Sequence, residues 1–160
     1  MEAKRAVEST TEATAAPFQK ILVAVDGSDH AFDAVRVAAR LAAALSARIT
    51  LMTAYHAPAD SLGEPNYSRA LGEALEAAQQ VLEDARRVTV NAGGPEPQVE
   101  WLAGDPAETI VDTAKAGDYD LVVMGTLGRG RLSAALLGSV SSTVAAKAGR
   151  PVLIVGDVLR

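Results

Sequence analysis

The sequence contains no cysteine, only 4% aromatic residues and no long apolar run. The absence of cysteine excludes disulfides, thiolate zinc sites and a cysteine nucleophile, and it agrees with a reducing compartment. No segment approaches the ~20 consecutive apolar residues of a membrane-spanning helix. The formal net charge of −5 argues against a surface built to bind nucleic acid. We therefore expect a cytoplasmic protein that binds neither nucleic acid nor membrane.

The chain has the length and apolar content of one folded domain. It has 160 residues, which favours a single domain, and 49% of them are hydrophobic. A core of this size forms without disulfides or a metal. Residues 1–17 are interpreted as a disordered leader, because no apolar stretch follows Lys4 and Arg5 as a secretory signal requires. The folded domain is expected over residues 18–160.

Short apolar runs alternate along the chain with segments of helical periodicity. The runs, each of a length typical of a buried strand, are 21–25, 49–55, 99–102, 121–124 and 151–155. Between them, apolar residues recur at spacings of three and four, which predicts four amphipathic helices. The order β-α-β-α-β-α-β-α-β predicts a single-domain, Rossmann-like doubly wound α/β fold, with helices on both faces of a parallel sheet.

Several residues predict where the elements begin and end. Asp105 followed by Pro106 and Glu108 has the pattern of a helix N-cap, a first-turn proline and a capping box. Ser28 or Asp29 is expected to cap the first helix. The segment 58–65 contains Pro, Gly, Asp and Ser and is predicted to be a loop.

Two turns follow strands that are candidates for neighbours in the sheet. Asp26 follows the first strand, and Gly125 ends the fourth. Ligands of doubly wound sheets bind beyond the carboxyl ends of the strands, at the point where strand order reverses. If the first and fourth strands are adjacent, both turns line one crevice. Asp26 also has a purely structural reading, in which it caps its own helix.

The segment from Gly125 to Ser139 carries the pattern that points to phosphate binding. Glycines allow close approach of the backbone to a ligand, and amides at a helix start attract anions. Gly138 and Ser139 stand where the last helix is expected to begin, and Arg129 adds positive charge. The alternative is a merely flexible loop in which Ser139 is an N-cap. Neither G-x-x-x-x-G-K-[ST] nor G-x-G-x-x-G is present, which excludes two standard nucleotide motifs.

The spacing Gly125-x2-Gly128-x9-Gly138-Ser139 resembles the nucleotide-binding signature of the ATP-binding universal stress proteins. The resemblance extends from Lys20 to Gly156. It includes the opening Ile-Leu-Val-Ala-Val-Asp-Gly-Ser, the Gly-Asp-Pro turn at 104–106 and the segment 118–125. The resemblance implies five strands in the order 3-2-1-4-5, a homodimer, and a site for ATP with or without Mg²⁺.

The same resemblance implies roles for individual residues. Ala24 and Ala54 would line the adenine pocket, and Asp26 would meet the adenine or the ribose. Ala24 departs from members with a bulkier residue or proline there, which loosens the pocket. The ribose and phosphates would be held by residues of the fourth strand, the loop and the last helix, namely Met124, Gly125, Gly128, Arg129, Gly138, Ser139 and Val140.

No metal site of the protein's own is predicted. His30 and His56 are 26 positions apart and show no ligand spacing. Mg²⁺ can arrive with ATP, because it needs only a carboxylate or hydroxyl beside phosphate oxygens, and Asp26 is the one candidate acid. His56 follows the second strand and is expected at the edge of the pocket. His30 is expected to be exposed in the first helical turn.

Three functions were compared on these residues. The first is an ATP-dependent stress sensor or switch with at most slow hydrolysis, since no convincing base accompanies the arginines. The second is an interaction module that binds AMP, cyclic AMP or no nucleotide. The third is a receiver-like phosphoprotein or an enzyme of the wider adenine-nucleotide α-hydrolase type. The receiver is disfavoured because the third strand ends Leu102-Ala103-Gly104, without a phosphorylatable Asp, and the enzyme because the glycine loop of ATP pyrophosphatases is absent after the first strand.

The last strand predicts a way for two copies to associate. Residues 152–155 are all apolar and should lie at an edge of the sheet. Pairing of two such edges around a two-fold axis gives the simplest closed homodimer. Trp101 is expected in the core or at an interface. A protein partner of unknown identity is also expected for a sensor.

Overall fold

The computed structural model describes residues 17–127 and 137–156. The predicted leader, residues 1–17, lies outside the described residues except for Pro17. The elements, in chain order, are β1 (Lys20–Ala24), α1 (Asp29–Leu45), β2 (Arg48–Tyr55), a 3₁₀ turn (Asp60–Leu62), α2 (Asn66–Asn91), β3 (Gln98–Ala103), α3 (Pro106–Ala116), β4 (Leu121–Gly125), α4 (Ser139–Lys147) and β5 (Val152–Val155). The 3₁₀ turn lies within the segment that was predicted to be only a loop.

The five strands form one parallel sheet in the order β3-β2-β1-β4-β5. The doubly wound α/β prediction is confirmed, as are the strand order and the four helices in the described part of the chain. β1 lies at the centre, where Ile21 pairs with Ile49 on one side and with Leu121 on the other. Strand order therefore reverses between β1 and β4.

Each face of the sheet buries its own cluster of side chains, because successive strand residues point to opposite faces. Ile21 and Val23 of β1 pack with Val35 of α1 and Leu82 of α2. Leu22 and Ala24 pack on the other side, in a cluster that includes Ile110 of α3 and Val144 of α4. The continuous apolar runs of the strands follow from this two-sided burial.

The helices begin where the sequence predicts. Ser28 is the N-cap of α1, and its Oγ accepts a hydrogen bond of 3.2 Å from the amide of Ala31. Asp105 caps α3, and its Oδ1 accepts from the amide of Glu108 at 3.1 Å, with Pro106 in the first helical position. Within the described ranges, no helix combines the length and apolarity that a membrane span requires.

The strand β3 leaves apolar side chains in contact with solvent. Trp101 is 40% exposed, and its neighbours Val99 and Leu102 are each 39% exposed. The expectation of a core position for Trp101 is wrong, because β3 is an edge strand and has a neighbour on one side only. The interface role of Trp101 stays a prediction.

Arg150 bonds to several backbone groups at the end of the sheet where the parallel strands begin, which we call its amino edge. One guanidinium nitrogen, Nη1, donates to the carbonyl oxygens of Ala114 and Tyr119, each at 2.8 Å. Its Nε donates to the carbonyl of Ala148 at 3.3 Å. Arg150 therefore ties together the end of α3, the turn before β4 and the end of α4.

Two further polar contacts close the same edge. The carboxylate of Asp120 accepts from the amides of Gln19 and Lys20, both at 2.8 Å. The ammonium of Lys20 lies 4.5 Å from the ring centroid of Tyr119. Burial raises the pKa of Tyr119, and a hydrogen bond to Thr50 partly opposes that shift.

Candidate functional site

A cleft of about 440 Å³ opens at the carboxyl edge of the sheet, where the parallel strands end, and its lining includes residues that follow the adjacent strands β1 and β4. It lies at the position that doubly wound sheets use for ligands. Eight of the ten predicted site residues line it, namely Ala24, Asp26, Ala54, Met124, Gly125, Gly138, Ser139 and Val140. The other two, Gly128 and Arg129, lie outside the described residues, and their roles stay predictions.

One end of the cleft is apolar. Ala24, Met52 and Ala54 from β1 and β2 share a face of the sheet with Met124 of β4, and Ile110 of α3 faces them. Two of these strand residues are alanines, so the sheet leaves space above itself. A flat, largely apolar group such as a nucleobase fits the chemistry of this end.

The opposite end of the cleft is formed by the start of α4. Gly138 is the N-cap, and its amide donates to the carbonyl of Thr126 at 2.8 Å. The amide of Ser142 is the first to bond within the helix, to the carbonyl of Gly138 at 3.0 Å. The amides of Ser139, Val140 and Ser141 come between, and the hydrogen bonds of the described residues supply no acceptor for them. These three amides carry the partial positive charge of a helix start.

The side chain of Ser141 is already engaged. It is buried, and its Oγ donates to the carbonyls of Thr126 and Gly138, at 3.0 and 3.1 Å. Ser139, in contrast, is exposed at the mouth of the cleft. Of the predicted residues, Ser139 therefore offers both its hydroxyl and its amide to an anion. Gly138 lines the cleft, but its amide is occupied by a protein oxygen.

Thr126 joins the two ends of the segment that separates β4 from α4. Its amide donates to the carbonyl of Val155 on β5 at 3.0 Å. Its carbonyl receives the Gly138 amide and the Ser141 hydroxyl described above. We call this arrangement of Thr126, Gly138 and Ser141 the clasp. The clasp fixes the start of α4 against the end of β4.

Asp26 has a structural role at the same time as it lines the cleft. Its Oδ1 accepts from the amide of Ser28 at 3.0 Å and from the Ser28 hydroxyl at 2.6 Å. Gly27 between them has φ of 82°, which favours glycine. The turn fixes the Asp26 carboxyl at the carboxyl end of β1. The N-cap of α1 is Ser28, so the reading in which Asp26 caps its own helix is wrong, and the role of Asp26 toward a ligand stays a prediction.

Gly125 has a packing role that the sequence did not reveal. A Cβ at this position would lie 2.7 Å from the carbonyl carbon of His30 and 2.8 Å from its oxygen. The absence of a side chain therefore lets β4 approach the first turn of α1. His30 is half-buried there, so the expectation of an exposed His30 is wrong.

His56 lines the cleft just beyond the end of β2 and is exposed. No cluster of three His, Cys, Asp or Glu side chains suited to a metal occurs in residues 17–127 and 137–156. Met52 and Ile110 also line the cleft, and the sequence analysis did not assign them to the site. The sequence contained a signal for both residues. Met52 lies two residues before Ala54 and therefore on the same face of β2, and Ile110 lies one helical turn after the Gly-Asp-Pro turn.

The sheet order, with a cleft at the strand-order reversal, defines a doubly wound α/β protein. The comparison with known families agrees with that class. The profile of the universal stress protein family matches residues 17–156, and the chain belongs to this family.

Individual relatives span nearly the whole chain. A universal stress protein of Thermus aquaticus, encoded 3′ of a QAH/OAS sulfhydrylase gene, is 44% identical over 138 residues, covering 86% of this chain and 98% of the relative. The solved universal stress protein UspA of Lactobacillus plantarum is 27% identical with a TM-score of 0.77, covering 86% of this chain and 97% of its own. A universal stress protein solved in complex with cAMP is 29% identical with a TM-score of 0.71, covering 89% and 99%.

Proposed function

We propose that this protein binds ATP in the cleft and acts as a nucleotide-dependent sensor or switch in a stress response. The observation that carries the proposal is the pairing of two chemistries in one cleft. Three amides at the start of α4 lie at one end, and small apolar side chains lie at the other. Helix amides can bind a phosphate, and an apolar pocket can bind a nucleobase.

The residues of the cleft fit the parts of the nucleotide. Ser139 and Val140 would hold a phosphate through their amides, and Ala24 and Ala54 would leave room for the base. The carboxyl of Asp26 would meet the ribose, or Mg²⁺ if the metal accompanies the nucleotide. Gly128 and Arg129 remain predicted contributors to phosphate binding.

A relative supports an adenine nucleotide as the class of ligand. The universal stress protein that was solved with cAMP shares 29% of its sequence with this chain over most of its length. The same observation favours a second candidate function, in which the protein responds to AMP or cyclic AMP and not to ATP. The discrimination between ATP and the two monophosphates, AMP and cyclic AMP, depends on how many phosphates the α4 end accepts.

We propose at most slow hydrolysis of ATP. Rapid phosphoryl transfer needs a residue that orients the attacking water and a cation that stabilises the transferred charge. Asp26 and His56 are the titratable side chains that line the cleft in the described part of the chain. Asp26 is held by Ser28, which suits a binding residue better than a mobile base.

The α4 amide at position 139 can be tested with a single residue. Ser139→Pro removes the hydroxyl and the amide together, whereas Ser139→Ala removes only the hydroxyl. Proline is tolerated at a first helical position, and Gly138, with φ of −65° and ψ of 162°, already has the conformation that precedes proline. We expect Ser139→Ala to weaken ATP binding several-fold and Ser139→Pro by a further factor of about 10.

Isothermal calorimetry with ATP, AMP and cyclic AMP measures these affinities, and thermal melting checks that both variants fold. Absence of binding for all three nucleotides to the wild-type protein would reject the proposal. Equal affinity of the two variants would reject the assigned role of the α4 amide. Tighter binding of cyclic AMP than of ATP would favour the second candidate.

We also propose a homodimer that pairs through β5, a cytoplasmic location and a protein partner that reads the nucleotide state. The carbonyls of Pro151 and Val155 accept from β4, so the intervening positions 152 and 154 turn their amides to the open edge. Ile154→Pro removes one of those donors without removing a hydrogen bond to β4, and Ile154→Val keeps the donor. We expect light scattering to report a dimer for the wild-type and Ile154→Val proteins and a monomer for Ile154→Pro. A monomeric wild-type protein at micromolar concentration would reject the dimer.

A further inference from the structure

Alternate residues along β2 and just beyond it line the cleft and form one row. Met52 belongs to the cluster under α3 and α4, and side chains on a strand alternate between faces, so Ala54 continues the row. His56 is the next position of the same parity. Met52, Ala54 and His56 line the cleft, and the intervening Tyr55 does not. His56 therefore stands at the outer end of the apolar part of the cleft.

The backbone next to His56 is held in place although His56 lies beyond the strand. The carbonyl of Tyr55 accepts from the amide of Gly104 at 3.0 Å. Gly104 belongs to the turn between β3 and α3, and that turn leads to Pro106 and Ile110 on the opposite wall. The hydrogen bond therefore fixes the position from which His56 extends relative to the α3 wall.

His56 differs in chemistry from the rest of this end of the cleft. Its neighbours in the cleft there are alanine, methionine, proline and isoleucine side chains, which can contact a base but provide no planar ring. Among the described residues that line the cleft, His56 is the one with a planar ring. Planar rings bind nucleobases by stacking, which tolerates the identity of the base.

We infer that His56 binds the purine base by stacking its imidazole on the outer face of the ring. This inference rests on the proposed function, because it assumes a nucleotide in the cleft. The base would lie between the His56 ring and the aliphatic side chains of Ile110 and Met124. The phosphates would lie away from His56, at the start of α4.

Two substitutions separate stacking from other roles of His56. His56→Ala removes the ring, and His56→Phe keeps a ring but has neither charge nor hydrogen-bonding nitrogens. We expect His56→Ala to weaken ATP, AMP and adenosine by the same factor, about 10-fold, and His56→Phe to bind each within about twofold of the wild-type protein. Asp60→Ala is the matched control, because Asp60 is exposed in the same connection and does not line the cleft.

Calorimetry with the three ligands gives distinct outcomes. Wild-type affinity for all three ligands in His56→Ala would overturn the stacking role and leave the proposed function intact. A loss that grows from adenosine to ATP would also overturn it, since His56 would then act on the phosphates. A loss in His56→Phe equal to that in His56→Ala would show a polar contact and overturn stacking. Absence of binding to the wild-type protein would reject the proposed function and, with it, this inference.

Discussion

The amino edge and the carboxyl edge of the sheet, where the parallel strands begin and end, differ in whether nearby backbone groups have hydrogen-bond partners. At the amino edge, the side chains of Arg150 and Asp120 bond to five backbone groups from the segments around them. At the carboxyl edge, the first turn of α4 leaves the amides of Ser139, Val140 and Ser141 without an acceptor among the described residues. Buried or half-buried polar groups that are satisfied stabilise a fold, and groups left open can bind a ligand.

Stability and ligand binding can therefore be changed separately at the two ends of the strands. Charged side chains at the amino edge hold connections between elements, and their loss should affect unfolding. At the carboxyl edge, small side chains leave space and three amides lack a described acceptor. Substitutions there should change ligand affinity more than stability. Gly125 is an exception, since it lies at the carboxyl edge but serves packing.

The largest effect is expected at Arg150. Arg150→Ala removes three hydrogen bonds to carbonyls and leaves them without their charged donor, so we expect a loss of about 3–4 kcal/mol in the free energy of unfolding. Urea denaturation measures the loss. Arg87→Ala is the control, because Arg87 pairs with Asp84 on the exposed face of α2 and should change stability by less than about 1 kcal/mol. Similar stability of Arg150→Ala and wild type would break the contrast between the edges.

The second-largest loss of stability is expected at Gly125, which lies at the carboxyl edge but serves packing. Gly125→Ala places a methyl group 2.7 Å from the backbone of His30, and we expect a loss of about 1–3 kcal/mol. Gly72→Ala is the matched control, since a Cβ at Gly72 meets nothing within 4 Å and the position is in α2. Alanine in a helix should stabilise that variant by about 0.5–1 kcal/mol. Thermal and urea unfolding compare the two, and a neutral Gly125→Ala would contradict the close packing.

The smallest effect concerns Tyr119 at the amino edge and depends on pH. Because burial raises the pKa of Tyr119 in the folded state, the unfolded chain loses this proton first as pH rises through the ordinary value of 10.0. The contribution of Tyr119 to stability is thus fully present below that pH and declines above it. We expect the wild-type protein to lose more stability than Tyr119→Phe in alkaline buffer. Urea titrations of both proteins in neutral and in alkaline buffer measure this loss. An equal loss of stability in the wild-type and Tyr119→Phe proteins would show that another group is responsible.

The architecture was accessible from the sequence because its signals are local. Two-sided burial makes each inner strand a continuous apolar run, as in 21–25, and the capping residues Ser28 and Asp105 mark helix starts. The strand order came from the family resemblance, since alternation of strands and helices does not fix which strands are neighbours. The exposure of Trp101 was not predicted, because aromatic and branched residues occur both in edge strands and in inner strands of a sheet.

The site was accessible in its location but not in its hydrogen bonds. The residues that line the cleft follow from strand ends and from the start of α4. That the amide of Gly138 is taken by Thr126, and that Ser141 also donates to Thr126, depends on how two distant segments meet in space. For the same reason, the contact that explains Gly125 involves His30 on another element.

The clasp holds the start of α4 through contacts that lie outside the segment 128–136. Thr126 is anchored to β5 and bonds to Gly138 and Ser141, so the two ends of residues 128–136 are joined independently of what lies between them. Closing a chain segment costs little more when it is lengthened modestly. We therefore expect the first turn of α4 to keep its place against the end of β4 when a few residues are inserted between positions 128 and 136.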